Sequence, residues 1–432
     1  MIETLRNAWK IADLRKKILY TLLILFIVRV GSVIPVPFLD PTALQAMISS
    51  NGNLLGYLDI LTGGAFANAT LFALSISPYI TASIVIQLLT VAIPALERMA
   101  KEGEDGKKRL KKITRYSTIA LAVIEATAYY FMFRRTSGAL AYTDGFEGVL
   151  AAVTIIATFT AGAMVVVWLG ERIDQNGIGN GISLILFAGI VSRGPAAVYS
   201  LWQYIQWGYL LKQYQYFVFV PLIVVLFLLM IGFIVMMTNA ERRIPVQYAK
   251  KVVGRKMYGG QSTHIPIKVN MSGVLPIIFA SSLLAIPGTI RSFMSNTDGL
   301  LGQFLGLFNY NTVVYAVLYF ILIIAFNYFY VAIQYNPLEM ANNLRKNNGG
   351  IPGIRPGKPT VDFISKVISK ITLVGAFFLA VVAILPIILG AIMGMNISLG
   401  GTSIIIVVGV ALDTVRSLES QMMMRHYKGF LE

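Results

Sequence analysis

The chain is 432 residues long, 56% hydrophobic and only 13% charged, with a mean hydropathy of +0.71. So few charges cannot cover the surface of a water-soluble protein of this size, and the absence of cysteine excludes disulfides, thiol catalysis and thiolate metal sites. The net charge of +16 reads first as basic loops holding a membrane protein in place, and a metal site is disfavoured because the two histidines, His264 and His426, lie far apart in sequence.

The N-terminal stretch MIETLRNAWKIADLRKK lacks the layout of a cleaved signal, so the first apolar run is expected to stay as a span. Ten apolar runs follow in order, near 18–34, 71–93, 113–133, 149–170, 181–200, 215–238, 271–290, 311–333, 367–390 and 398–416. Each approaches the roughly 20 residues that a helix needs to cross the hydrocarbon. Backbone groups must be satisfied within lipid, so the expected fold is an all-α polytopic bundle of ten transmembrane helices. Five spans followed by five is the layout of an inverted repeat, although no residue-level repeat is visible.

Ten spans place both termini on one face. Thirty of the 36 Lys and Arg residues fall on that face, five on the other, and Arg29 lies within the first span. The asymmetry predicts a cytoplasmic location for the termini and the large loops. Between the first two spans lies NLLGYLDILTGGAFANAT, 53–70, too short to cross and broken at Gly63 and Gly64. It reads either as an external interfacial helix or as a re-entrant segment, the second tolerated at membrane depth only inside protein or a wet cavity.

GIGNGIS, 177–183, looks like a dinucleotide loop, but no strand precedes it, and a tight turn entering the fifth span is the better reading. KEGEDGKK, 101–108, lacks the spacing of a phosphate loop. Arg29 and Glu125 are the clearest ionisable residues within spans, where such residues mark functional sites by default. Arg29, near the outer end of its span, is expected to snorkel.

Two basic loops, 239–269 and 334–366, exceed what topology requires. The first contains YAKKVVGRKMYGGQSTHIPIKV, which reads as an extended hairpin with a cationic tip at Arg255 and Lys256. The second, with Arg345, Lys346, Arg355 and Lys358 among glycines and prolines, suits an anionic partner, either RNA phosphates or an acidic protein surface.

The segments FALSISPYITASIVIQLLTVAIP, KEGEDGKKRLKKITRY, GIGNGISLILFAGIV, RRIPVQYAK, QSTHIPIKVNMSGVLPIIFASS, NPLEMANNLRKNNGGIPGIRPGKPT and LGGTSIIIVVGVALD together resemble the bacterial SecY family. That family supplies the large subunit of the protein-conducting channel, or translocon. The resemblance covers nearly the whole chain. It implies a central pore between two pseudo-symmetric five-helix halves, 1–205 and 206–432, in a protein that is not an enzyme and needs no cofactor. It also implies a constriction at Ile80, Ile84, Leu186, Ile190, Ile278 and Ile406, where Leu186 replaces an expected isoleucine in a rim that needs only to be apolar. A plug over 55–66 would involve Leu55, Tyr57, Leu58, Leu61, Gly63, Gly64 and Phe66.

The resemblance further implies a lateral gate between the second and third spans on one side and the seventh and eighth on the other. Gln87, Ser281 and Ser282 are candidates for polar contacts across it, or for ordinary interhelical contacts. Docking of the ribosome and of the SecA motor would use Arg242, Arg243, Lys250, Lys251, Arg255, Lys256, Arg345, Arg355 and Lys358. Small subunits SecE and SecG, signal sequences, unfolded preproteins and membrane lipids complete the implied partners, in a bacterial plasma membrane. The alternative, an ion-coupled secondary transporter of a small solute, is weakened by the scarcity of intramembrane carboxylates.

Overall fold

The structure is a computed structural model that describes residues 2–45, 59, 62–136, 138–210, 214–248, 251–253, 256–258, 262–293, 299–308, 312–393 and 401–428. A short helix α1 (Ile2–Lys10) leads into α2 (Ala12–Gly31). Turns then carry the chain through 62–76, with Ala69 and Ser75 at positive φ, before α3 (Ser77–Ala92) begins with Pro78 in its first turn. The second apolar run therefore becomes helical only at Ser77, because proline presets the first turn and the preceding backbone is committed to turns.

The first half continues with α4 (Pro94–Lys101), α5 (Glu104–Arg135), α6 (Gly145–Asn176), α7 (Gly181–Ser192) and α8 (Gly194–Leu210). Beyond α9 (Gln215–Asn239), four strands form the first large loop: β1 (Glu241–Tyr248), β2 (Lys251–Val253), β3 (Lys256–Tyr258) and β4 (Ser262–Lys268). The chain then runs through α10 (Leu275–Phe293), α11 (Leu300–Gly306), α12 (Val313–Gln334), α13 (Pro337–Lys346), β5 (Gly349–Gly350), α14 (Lys358–Met393) and α15 (Gly401–Lys428).

Among the described residues, each of the ten expected apolar runs falls mostly on a helix. Among the described residues, six stretches are individually long and apolar enough to span, or seven if α3 and α4 are one span bent by 102°. The remaining three runs lie on α2, α10 and α15. Charges crowd the start of α2, at Asp13, Arg15, Lys16 and Lys17. The fifth run is divided at Arg193 into α7 and α8, a break that hydropathy cannot register.

Exposed apolar side chains such as Phe26 on α2, Val153 on α6, Leu228 and Leu229 on α9 and Phe377 on α14 coat the outside. A belt of this kind is stable only against lipid. One buried core, including Phe66, Phe133, Ile155 and Phe159, belongs to the first half of the chain. A second, including Ile234, Tyr319, Leu379 and Ile405, belongs to the second half. A third joins them, packing Ile406 and Val410 of α15 against Ile24, Ile173, Leu186 and Ile190.

The described parts of the basic segments gather at one end. Leu14 and Leu418 pack with Ile178, and Thr4 donates to Glu419 Oε1 (3.1 Å). Lys111 pairs with Glu171 (3.3 Å), Arg115 also pairs with Glu171, and Arg416 donates to Asn239 Oδ1 (2.7 Å). At this end β1 pairs antiparallel with β4, from Glu241↔Lys268 to Gln247↔Ser262, and β2 pairs with β3. β1 also pairs with β5 at Gln247 and Tyr248, which ties the two large loops together. Alternation along β1 buries Ile244 and Val246 against Leu344, Ile351 and Ile364, leaving the intervening residues outward.

Candidate functional site

A cavity of about 370 Å³ sits between the halves. Ile80 and Ile84 of α3, Leu186 of α7, Ile278 of α10 and Ile406 of α15 all line it. Their spacing explains the convergence on α3, since residues four apart share a helix face. Ile190, four residues beyond Leu186, is 1% exposed and packs in the central core with Leu186 and Ile406, outside the cavity lining. Thus five of the six sequence-predicted constriction residues meet at one space, and the sixth lies in the core that joins the halves.

The cavity extends between α5 and α10, where Glu125, Ala128 and Tyr129 face Phe279, Ser281, Ser282 and Ile286. Phe326 of α12 completes that side. Ser281 donates to the Ile278 carbonyl of its own helix (2.9 Å), as serine in an apolar helix commonly does. Gln87 is exposed and lies outside the lining. Sequence reasoning placed Glu125 in a span but not in this opening. Its Oε2 is buried without a hydrogen-bond partner among the described residues.

Thr62, Leu74, Ser75 and Ile76 line the cavity from the turn-rich segment before α3. Of the sequence-predicted plug residues, Leu55, Tyr57, Leu58 and Leu61 lie outside the described residues. Gly63 and Gly64 adopt φ values of +67° and +90°, and Phe66 is buried against Tyr129 and Phe133, with ring centroids 5.0 and 6.4 Å away. The described part of 53–70 is thus packed inside the protein, which excludes the interfacial-helix reading for it.

Arg29 corrects an expectation. Its Nη2 donates to the Gly63 carbonyl (3.1 Å), so the guanidinium turns inward to a backbone acceptor instead of snorkelling outward. Asp59 pairs with Arg193, and its Oδ1 accepts from the Ala67 N–H (2.8 Å). Sequence reading missed the Arg29–Gly63 and Asp59–Arg193 contacts because their partners lie far apart along the chain.

The turn at 177–183 is structural. Asn180 caps α7 by accepting from the Ser183 N–H (3.0 Å), and the Gly181 N–H donates to Asp174 Oδ1 (2.7 Å). A Cβ at Gly181 would strike the Gly170 carbonyl, so α6 and α7 approach only because this residue is glycine.

At the basic end, Arg242, Arg243, Arg345, Arg355 and Lys358 are exposed. Lys251 and Lys256 open β2 and β3, while Lys250 and Arg255 lie outside the described residues. Arg243 pairs with Glu241 (2.7 Å), and no ion pair engages Arg242, Arg345, Arg355 or Lys358 among the described residues. Cations left uncompensated beside one another create a positive field reaching about a Debye length, ~8 Å at physiological salt.

The SecY family model matches residues 70–415. The protein translocase subunit SecY of Streptomyces scabiei is 43% identical over 446 residues, covering 100% of both chains, and that of Mycobacterium bovis is 40% identical over 451, again covering 100% of both. Among solved structures, a protein-conducting channel superposes with a TM-score of 0.66 at 19% identity, covering 94% of this chain and 92% of its own. Sec61 from a canine ribosome–channel complex superposes with a TM-score of 0.60 at 18% identity, with the same coverage of each chain.

Proposed function

The chain belongs to the SecY family, and we propose that it is the central channel subunit of a Sec translocon in a bacterial plasma membrane. In this reading it passes unfolded preproteins through the space between its halves and releases signal and transmembrane segments sideways into lipid. The observation that carries the reading is the shared cavity, in which aliphatic residues from four helices of both halves meet beside an opening between α5 and α10.

The chemistry is physical rather than covalent. Ile80, Ile84, Leu186, Ile278 and Ile406, backed by Ile190, form a narrow apolar neck, and such a neck resists ions by excluding water. Aliphatic side chains also yield around a passing polypeptide. The segment 55–66 closes the neck at rest. The opening at Ser281 and Ser282 lets an apolar segment leave for lipid when transfer is favourable, by roughly 0.3–0.6 kcal/mol per Leu, Ile, Phe or Val at the helix centre. Gln87 is exposed and outside the cavity lining, so its place in this reading is at the outer side of that exit.

The basic end faces the cytoplasm, as do both termini, in keeping with the charge asymmetry. Its exposed Arg242, Arg243, Arg345, Arg355 and Lys358, with Lys250, Lys251, Arg255 and Lys256 of the hairpin, dock the ribosome or the SecA motor. These partners supply the energy. SecE and SecG are the expected small membrane subunits.

Single-cysteine cross-linking tests the reading directly, because the chain has no native cysteine. Cysteine at Ile84 is expected to cross-link to a preprotein stalled in transit, whereas cysteine at exposed Val91 of the same helix is not. In parallel, Ile278→Asn and Ile406→Asn place an amide where water can be held and are expected to leak ions in planar bilayers. Ion-tight variants combined with no cross-link at Ile84 would make these residues ordinary packing.

A further inference from the structure

The corner between α8 and α9 carries a surface that the functional reading leaves unused. α7 begins at Gly181, beside the turn whose Ile178 packs at the basic end, so α8 reaches the opposite end of the bundle. Helical hydrogen bonding resumes at once across Arg193, whose carbonyl accepts from the Ala197 N–H (2.9 Å). Gly181–Leu210 is therefore a nearly continuous rod of 30 residues. At about 1.5 Å per residue it is about 45 Å long, against about 30 Å for the hydrocarbon and about 40–45 Å for the bilayer with its headgroups. Roughly the last two turns of α8 thus lie beyond the hydrocarbon.

A helix that projects from lipid into water is ordinarily charged, yet α8, GPAAVYSLWQYIQWGYL, has no charged residue. One side of it is packed. Leu201, Tyr204 and Ile205 lie against Val220 and Ile223 of α9, and the Tyr204 ring meets Trp207 and Tyr216 with centroids 5.4 and 5.5 Å apart. The other side is open: Val198, Tyr199, Trp202, Gln206, Tyr209 and Leu210 are exposed and share one arc of about 120°. Trp202 is 56% exposed and Tyr209 79%. Exposed Val191, two turns before Val198, continues the same side onto α7 within the lipid-facing belt.

We infer that the Val198–Leu210 face of α8 is a lipid-docking surface, seated in the headgroup layer at the end of the bundle away from the basic loops, with Trp202 and Tyr209 as its anchors. Its continuity with the belt, its lack of charge and its side-chain chemistry all select lipid over a protein partner. Tyrosine and tryptophan rings join an apolar body to a polar edge and settle where hydrocarbon meets water. The same face in bulk water would be an aggregation hazard. The anchor also bears on the neck. Because α8 continues α7, the depth at which Trp202 and Tyr209 settle fixes the height of Leu186 in the bilayer, and the two are positioning residues acting through the rod. Assigning this layer to the outer leaflet rests on the orientation proposed above.

The test uses the full chain in its complex, reconstituted in liposomes, with nitroxide labels on single cysteines, which the cysteine-free chain permits. Tyr199→Cys and Gln206→Cys report on the face. Val225→Cys, exposed along α9, serves as the lipid control, and Asp144→Cys, in an exposed bend, as the water control. Collisions are measured with oxygen, which concentrates in lipid, and with nickel ethylenediaminediacetate, which stays in water. Oxygen is expected to exceed nickel by about threefold or more at Tyr199, as at Val225, and Gln206 is expected to fall between the two controls. Values like those of Asp144 at both positions would place α8 in water, and low collisions with both probes would mean that a protein covers the face; either overturns the inference. In a second arm, Trp202→Glu with Tyr209→Glu is expected to raise nickel collisions at Gln206 by about fivefold or more, since charge is expelled from the interface. The exchanged pair, Trp202→Tyr with Tyr209→Trp, is expected to leave them unchanged, as is Val225 in every variant. No response to the acidic pair would mean that these rings do not hold the helix. The collision ratios are the same in either leaflet, so a failed orientation is told apart from a failed anchor.

Discussion

Single residues in this chain take their meaning from partners that sequence distance conceals. Arg29 lies near the outer end of a span, where an arginine ordinarily reaches toward headgroups, yet it turns inward because a carbonyl with no helical partner is available at Gly63. Glu125 shows the converse. Its position in a span marked it as unusual, but the structure adds that it lines the opening between α5 and α10 with Oε2 unpartnered among the described residues. A buried acceptor without a donor costs about 1–3 kcal/mol, so Glu125→Leu is expected to leave thermal stability in detergent unchanged or raise it. A clear fall in the unfolding temperature would mean that the carboxyl has a donor in the working complex. Leu186, standing where isoleucine was expected, lines the cavity beside Ile80 and Ile406, as an apolar side chain of the same size can.

At the scale of elements, helices were the most legible features and their interruptions the least. Hydropathy located all ten runs, because a lipid-facing helix must be apolar over its crossing length whatever its neighbours are. It did not show that α3 starts at Ser77, that α7 stops at Ser192, or that α3 and α4 bend by 102° at Ile93. Those are decided by turns and by packing on adjacent helices. The hairpin was readable from β-branched residues flanking glycine-bearing turns, and β1–β4 pairing follows it. β5 was not readable, because a strand of two glycines has no pattern to detect. Its pairing with β1 brings the two basic loops onto one surface. For this reason Arg242→Glu combined with Arg355→Glu is expected to weaken docking at least as much as the two single effects added together, while the bundle stays folded. Binding of the complex to ribosomes, titrated with salt, checks it: phosphate contacts give a log-linear decline that should become shallower in the variant. Docking unchanged by the double substitution would remove these residues from the interface.

For the whole molecule, orientation follows from charge. The 30-to-5 division of Lys and Arg predicts that protease added to the cytoplasmic face of sealed vesicles cuts within Glu241–Asn270, and that protease confined to the other face does not. Cutting from the outer face alone would invert the topology. The sequence by itself determined that the chain lives in lipid, where its helices fall, which face is basic, and, through a resemblance spread over the full length, its family. Each of these is a property of local composition or of many residues taken together, so a linear reading can reach it. The family resemblance already implied one constriction shared by α3, α7, α10 and α15, but only the tertiary structure decided that Ile190 packs in the core beside the cavity and that Gln87 lies outside its lining. It alone paired Asp59 with Arg193 and Arg29 with Gly63. The physical reason is that an aliphatic side chain looks the same in a sequence whether it faces lipid, core or a water-sized space. An ion pair, likewise, exists only once folding has brought its two charges together.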